Sequence, residues 1–293
     1  DSTGVIDLHA YGGELFIGVD PNFSIYSTMF RWDGVRLRPE QNGPNGAVIS
    51  IATFRGELFA GGLFTRLGTG PWTQSSLARW DGSAWRPVAE SAPRGTVRAM
   101  IESGDRLIVG GWAVGARHVS SWSGSSWEYS AFGVGPSNST GAVRALGEFR
   151  GELYLGGELT SVENRTALGI ARLEGSSWRS LGSGFLACPK FVPSRSGVWL
   201  VRNGALKWDG RAWTDAIEMP SDVPYAVEFR GDMVVAGALA TPQWPSRKIA
   251  RWDGTAWRAL GVELASADVV RSLGVYNDDL IIGGYFFTVG GVP

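Results

Sequence analysis

A heptapeptide, Arg79-Trp80-Asp81-Gly82-Ser83-Ala84-Trp85, returns along the chain at intervals that leave little choice of architecture. It recurs as Arg31-Trp32-Asp33-Gly34, Ser121-Trp122-Ser123-Gly124-Ser125-Ser126-Trp127 and Arg172-Leu173-Glu174-Gly175-Ser176-Ser177-Trp178. Two later copies are Lys207-Trp208-Asp209-Gly210-Arg211-Ala212-Trp213 and Arg251-Trp252-Asp253-Gly254-Thr255-Ala256-Trp257. Asp-Gly between short apolar runs predicts a β-hairpin, because both central residues of a type I′ turn need positive φ. With Asp81-Gly82 as a two-residue loop, Trp80 faces Ser83 and Ala78 faces Trp85. Alternation then puts Trp80 and Trp85 on one face of the hairpin, and Arg79 and Arg86 on the other. A hairpin that recurs in this way defines a repeat protein.

A second signature precedes each of these hairpins. It is clearest in Phe54-Arg55-Gly56-Glu57-Leu58-Phe59-Ala60-Gly61-Gly62 and returns at Tyr11–Gly18, Gly104–Gly111, Phe149–Gly157, Phe229–Gly237 and Tyr276–Gly284. A degenerate copy, Ser196–Val201, brings the number of such hairpins to seven. An apolar strand lies upstream of most copies, such as Val48-Ile49-Ser50-Ile51 or Val97-Arg98-Ala99-Met100. Folding Ile49–Gly62 about Arg55-Gly56 puts Ile51, Leu58 and Ala60 on one face, and Val48, Phe54 and Phe59 on the other. Both faces are apolar, so both are expected to be covered.

One repeat is therefore four antiparallel strands, a to d. Asp33 and Asp81 are 48 positions apart, and Asp209 and Asp253 are 44 apart. Four short strands at this period predict an all-β protein, a β-propeller of four-stranded antiparallel blades. The repeats run over approximately 5–39, 47–88, 97–130, 142–182, 185–216, 222–261 and 268–293, within a single propeller domain spanning 1–293. The count is seven blades with the last incomplete; the alternative is six. Residues 285–293 stop inside the loop that would lead to another Trp-Asp-Gly hairpin. This predicts that the native polypeptide continues beyond Pro293.

The pattern G-E-L-x-x-G-G-x-F-T followed by A-R-W-D-G-x-x-W-x-x-L-G resembles kelch-like propeller repeats of secreted bacterial proteins and of fungal cell-polarity surface proteins of the Rax2 type. The resemblance covers nearly the whole chain. It implies a binding or scaffolding role at the cell surface and carries no general catalytic motif.

Composition narrows the partners. The 293 residues carry a net charge of −1, which argues against nucleic acid as a bulk electrostatic partner. No run is long and apolar enough to span a membrane. The single Cys188 excludes an internal disulfide framework. Arginine far outnumbers lysine, which is represented only by Lys190, Lys207 and Lys248, a bias that suggests a bacterial coding sequence rich in G and C.

Candidate sites follow from chain direction. The a–b and c–d turns share one end of each blade and are short and uniform, with little adaptable surface. The b–c and d–a segments share the other end and vary in length, the usual place for binding on a rigid scaffold. This loop face collects Trp72, Trp112 and Trp244 with Phe23 and Tyr26, which either cap the blades or form an aromatic platform for a sugar or a protein. One column of strand a reads Ile6, Ile49, Arg98, Arg144, Pro224, Arg271. Its arginines Arg98, Arg144 and Arg271 could line a channel mouth and hold an anion. Alternatively, each pairs with a nearby acid such as Asp222, Asp268 or Glu102.

Catalytic residues are not apparent in the sequence. His9 and His118 belong to different repeats, and Asp7 with His9 supplies too few ligands for zinc or copper. The sequence reading is a non-catalytic extracytoplasmic scaffold that binds a protein or larger assembly through the loop face, without a metal or other cofactor. A carbohydrate-binding lectin is the alternative, and an enzyme with an arginine-lined site at the channel mouth a second one.

Overall fold

The computed structural model describes residues 4–20, 27–71, 76–88, 92–112, 114, 118–129, 142–159, 161–162, 165–166, 169–181, 190–194, 197–202, 204–214, 225–237, 249–261, 264 and 268–285. Cys188 and Pro224 lie outside them. The chain divides into two compact units, Asp1–Pro189 and Lys190–Pro293.

In the first unit, four repeats each form a four-stranded antiparallel sheet in the order a–b–c–d. Repeat 1 comprises Val5–Tyr11, Glu14–Val19, Met29–Trp32 and Leu37–Pro39, and repeat 2 comprises Ala47–Phe54, Glu57–Leu63, Leu77–Trp80 and Trp85–Pro87. Repeat 3 comprises Thr96–Ser103, Arg106–Trp112, Val119–Trp122 and Trp127–Tyr129, and repeat 4 Val143–Phe149, Glu152–Gly157, Ile170–Glu174 and Ser177–Ser180. A small hairpin, Ser161–Val162 with Arg165–Thr166, decorates the b–c loop of repeat 4. Strand a of each repeat packs against strand a of the next.

In the second unit, repeat 6 is again four-stranded, with Tyr225–Phe229, Asp232–Ala236, Ile249–Trp252 and Trp257–Ala259. Repeat 5 has three strands, Lys190–Ser194, Gly197–Arg202 and Gly204–Trp208, and its fourth is reduced to a bridge between Trp208 and Trp213. Repeat 7 is the hairpin Val269–Tyr276 with Asp279–Tyr285. All seven a–b hairpins form, but among the described residues the complete blades number five, not seven. Counting a–b hairpins overstates the blades because, among the described residues, repeats 5 and 7 lack a full c–d partner.

The turns exchange the roles expected of them. The type I′ geometry belongs to the a–b turns: Arg55 and Gly56 have φ of 50° and 76°, and Arg150-Gly151, Arg230-Gly231 and Asn277-Asp278 are also positive at both positions. In the Trp-Asp-Gly hairpin only the glycine is positive, with Gly82 at 95°. Trp80 pairs directly with Trp85 and Ala78 with Pro87, across a four-residue loop. The Asp81 carboxylate makes this loop by accepting the N–H groups of Ser83 and Ala84 at 2.8 and 2.7 Å. Its second oxygen accepts Arg86 Nε at 2.8 Å. The Arg86 guanidinium and the two turn N–H groups hold the Asp81 carboxyl well below the usual range. Asp253 repeats the arrangement with Arg258, Thr255 and Ala256. The register differs from the expected one by two residues. The Trp and Arg faces are therefore unchanged, because side-chain direction has period two.

A β-bulge in strand a recurs at one position. Pairing passes from Val48–Gly62 to Ser50–Gly61, skipping Ile49. It likewise skips Ile6, Arg98, Arg144 and Arg271. The extra residue reverses the faces on its N-terminal side. Val48 therefore joins Ile51, Leu58 and Ala60 in one core cluster rather than Phe54 and Phe59 in the other.

The bulge also explains the Gly-Gly pair. A Cβ on Gly62 would lie 1.9 Å from the Ala47 carbonyl oxygen, and one on Gly111 1.9 Å from that of Thr96. The first glycine serves the neighbouring blade, since a Cβ on Gly61 would lie 2.3 Å from Val97 Cγ1, and on Gly110 2.6 Å from Val143 Cγ1. Each core cluster of the first unit joins one face of a blade to the facing side of the next. Phe16 of repeat 1, for example, meets Trp80 and Trp85 of repeat 2 edge-on at 6.1 and 6.3 Å.

Polar contacts reinforce these joints. Asp7 Oδ2 accepts the N–H of Ile51 at 2.6 Å, and Ser50 Oγ accepts that of Met100 at 3.1 Å. His9 Nε2 meets Thr53 Oγ1 at 2.8 Å. Asp7 and His9 thus join blades. Burial lowers the pKa of His9 and of His118 below the ordinary value of 6.5. The neutral rings are favoured in the fold, so the unfolded chain takes up more protons as pH falls through about 6.5. Stability should be fully present above that pH and decline below it. Thermal midpoints measured from pH 7.5 to 5 should fall. His9→Gln should reduce that slope, leaving the part due to His118. A midpoint flat over this range would contradict the assignment.

Candidate functional site

Of the loop-face aromatics expected from the sequence, Trp72, Trp244, Tyr26 and Phe23 lie outside the described residues. Trp112 ends strand b of repeat 3 and is 52% exposed. Leu63 holds the same position in repeat 2, directly after the Gly-Gly pair, and is 60% exposed. An exposed Leu is ordinary by itself. Two large apolar side chains are thus exposed at equivalent positions of consecutive blades, at the loop ends of their b strands.

The three arginines of the strand-a column occupy bulge positions. Arg98 and Arg144 do so on neighbouring strands of the first unit, and Arg271 does so in the second. Arg144 is engaged by Glu158, a local acid other than those expected. Arg98 is half-buried and also engaged. The rim arginines are committed as well. Arg31, Arg79, Arg172 and Arg251 on strand c pair with Glu14, Glu57, Glu152 and Asp232 on strand b, at 3.0, 3.2, 3.1 and 3.3 Å. This pairing accounts for the acidic residue of the Gly-Glu-Leu signature. Repeat 3 inverts it, with Arg106 on strand b meeting Glu128 on strand d at 2.8 Å.

The turn end carries a cavity that the sequence reading did not anticipate there. In the second unit, a cleft of about 470 Å³ opens between repeats 5 and 6. Repeat 5 contributes Ser194, Trp199, Lys207 and Thr214. Repeat 6 contributes Glu228, Asp232, Met233, Trp252 and Asp253, with the turn glycines Gly231 and Gly254. The Lys207 ammonium lies 5.4 Å from the centre of the Trp199 ring, a cation–π contact. Trp199 Nε1 donates to Ser194 Oγ at 3.2 Å, and Ser194 donates to the Gly197 carbonyl at 2.8 Å. The signal was present in the sequence as departures from the repeat at Ser194, Gly197 and Lys207. Reading it required the register that the structure supplies.

Among the described residues, no group of three or more His, Cys, Asp or Glu side chains is placed to hold a metal ion. No helix among them is long and apolar enough to cross a membrane.

The sheets, their order and their packing define a β-propeller fold, and comparison with solved structures agrees. The WD40 beta propeller domain of Doa1 is similar with a TM-score of 0.59 at 12% identity, over 97% of this chain and 92% of that one. BBS1N, solved in complex with ARL6DN, has a TM-score of 0.60 at 9% identity, over 97% and 92%. The computationally designed Ika8 protein has a TM-score of 0.55 at 13% identity, over 99% and 96%. At these identities the likeness is one of fold. No protein-family model matches the chain, and no curated protein does.

Proposed function

We propose that the protein is a non-catalytic binding scaffold that engages a protein partner through the loop ends of its blades. The observation that carries this reading is the exposure of Leu63 and Trp112 at equivalent loop-end positions of consecutive blades. Exposed large apolar groups on a rigid frame suit the centre of an interface, with a polar rim around them. Among proteins of like fold, BBS1N was solved in complex with another protein, ARL6DN, which supports a partner of the same kind here. The expected aromatics Trp72, Tyr26 and Phe23 belong to the same unit and would add contact area toward the roughly 800 Å² per partner of a stable interface. Arg98 and Arg144, of the same unit, would supply charged groups. The kelch-like and Rax2-type resemblance of the repeats favours an extracytoplasmic setting, and the excess of arginine over lysine a bacterial one.

The test is affinity capture from the culture fluid and envelope fraction of the native host. Leu63→Ser with Trp112→Ala should weaken capture of the wild-type partner at least about tenfold. The rim pair Arg79→Gln with Arg251→Gln should leave it unchanged. If only the rim pair weakens binding, with both variants folded, the loop-end assignment fails.

A further inference from the structure

The cleft between repeats 5 and 6 exists because repeat 5 departs from the pattern at three positions that the sheet register makes equivalent. Ser194 pairs with Gly197 immediately before the a–b turn. That strand-a position is Tyr11, Phe54, Phe149, Phe229 and Tyr276 in other repeats, and serine only here and at Ser103. Gly197 stands where Glu14, Glu57, Glu152 and Asp232 stand, and Lys207 where Arg31, Arg79, Arg172 and Arg251 stand.

The joint between repeats 1 and 2 shows what these residues normally do. The Arg31 guanidinium binds Glu14 and Glu40 at 3.0 and 2.5 Å and lies 5.1 Å from the centre of the Trp80 ring of repeat 2. Tyr11 packs edge-on against Phe16 and donates to the Gly56 carbonyl of repeat 2 at 2.8 Å. An aromatic ring and a planar polar group thus fill the joint. In repeat 5 the ring is a serine hydroxyl, and the guanidinium is an ammonium drawn over Trp199. The wall formed by Trp252, Met233, Glu228 and Asp253 of repeat 6 is left facing a cavity. A Cβ on Gly197 would meet the Trp208 carbonyl oxygen at 2.4 Å, so the acid cannot simply be restored.

The lining selects a ligand class. Asp232 and Asp253 are already bound by Arg251 and Arg258, at 3.3 and 2.8 Å, and the Lys207 ammonium is inside the cleft. Glu228 and Lys207 then offset one another, so a cationic ligand would meet a like charge without a net acidic lining to draw it in. An anion would face Glu228, Asp232 and Asp253. A neutral ring with an apolar face and a polar edge meets neither obstacle. Its C–H face can lie on the indole of Trp252, while its hydroxyls donate to carboxylates and accept from Lys207. The volume falls within the roughly 300–1,000 Å³ common for small-molecule sites.

We propose that the cleft between repeats 5 and 6 is a saccharide-binding site, with Trp252 as its platform and Glu228, Asp253 and Lys207 as its polar contacts. It is separate from the loop ends of the first unit and stands or falls independently of protein binding there.

The experiment is saturation-transfer NMR with tryptophan fluorescence titration of the whole chain. The probes are methyl glycosides of glucose, galactose, mannose and N-acetylglucosamine, with pentalysine as the contrasting ligand. At least one glycoside should bind saturably with a Kd on the order of 1 mM. Ser194→Tyr introduces the aromatic residue found in five of the other repeats and should abolish binding while circular dichroism stays native. Glu228→Gln, which keeps the size of the side chain, should weaken binding about tenfold. If Ser194→Tyr does not fold, Glu228→Gln decides. Absence of binding by every glycoside overturns the proposal, as does binding that persists in folded Ser194→Tyr. An affinity unchanged in Glu228→Gln, or binding of pentalysine alone, overturns it too.

Discussion

Gly62→Ala should destabilise the first unit by about 3 kcal/mol or more, although it adds a single methyl group. The new Cβ would stand 1.9 Å from the Ala47 carbonyl oxygen and 3.0 Å from its carbon, so a backbone segment rather than a side-chain tip must move. That segment carries the bulge at Ile49 and the adjoining Val48, which is fully buried in the joint between repeats 1 and 2. A shift there opens packing on two blades. Gly56→Ala is the control. Gly56 has a φ of 76° and nothing within 4 Å of an added Cβ, so its cost should be only the backbone term, about 1–2 kcal/mol. Urea unfolding of both variants separates the two effects. Equal losses would show that conformation, not the close approach of the bulge, sets the requirement at Gly62.

Trp80→Ala should cost about 3–5 kcal/mol. The ring is 7% exposed and meets Phe16 of the preceding blade at 6.1 Å and Trp85 across its own hairpin at 5.5 Å. The Arg31 guanidinium covers it at 5.1 Å. Removing it leaves a cavity in the joint and takes away the surface on which that guanidinium rests. Trp252 occupies the equivalent place in repeat 6 but is half-buried and lines the cleft, so Trp252→Ala should cost clearly less. A loss below about 1 kcal/mol for Trp80→Ala would contradict its packing role. Losses that match between the two would contradict the difference drawn between a filled joint and an open one.

The sequence by itself determined the four-strand repeat and the partition of side chains between the faces of the Trp-Asp-Gly hairpin. Alternation and turn chemistry are local properties and survive small errors of register. Trp80 and Trp85 share a face whether the loop has two residues or four, because the two registers differ by an even number. The Asp-Gly signal located the hairpin yet misassigned its turn. The carboxylate of Asp81 can organise four residues, while the type I′ geometry is taken up by Arg55-Gly56. Only the tertiary structure decided the rest. A one-residue bulge leaves no trace in the pattern of a strand that is apolar on both faces, so Val48 was placed on the wrong side. The column Ile6, Ile49, Arg98, Arg144, Arg271 was visible as an alignment, but its meaning as a line of bulges depends on pairing with strand b. The need for Gly61 is set by Val97, 36 residues further along the chain. The number of complete blades depended on whether the c–d strands of repeat 5 form. The cleft likewise depended on which residues face one another across a joint. These are contacts between distant segments, and no property of either segment alone specifies them.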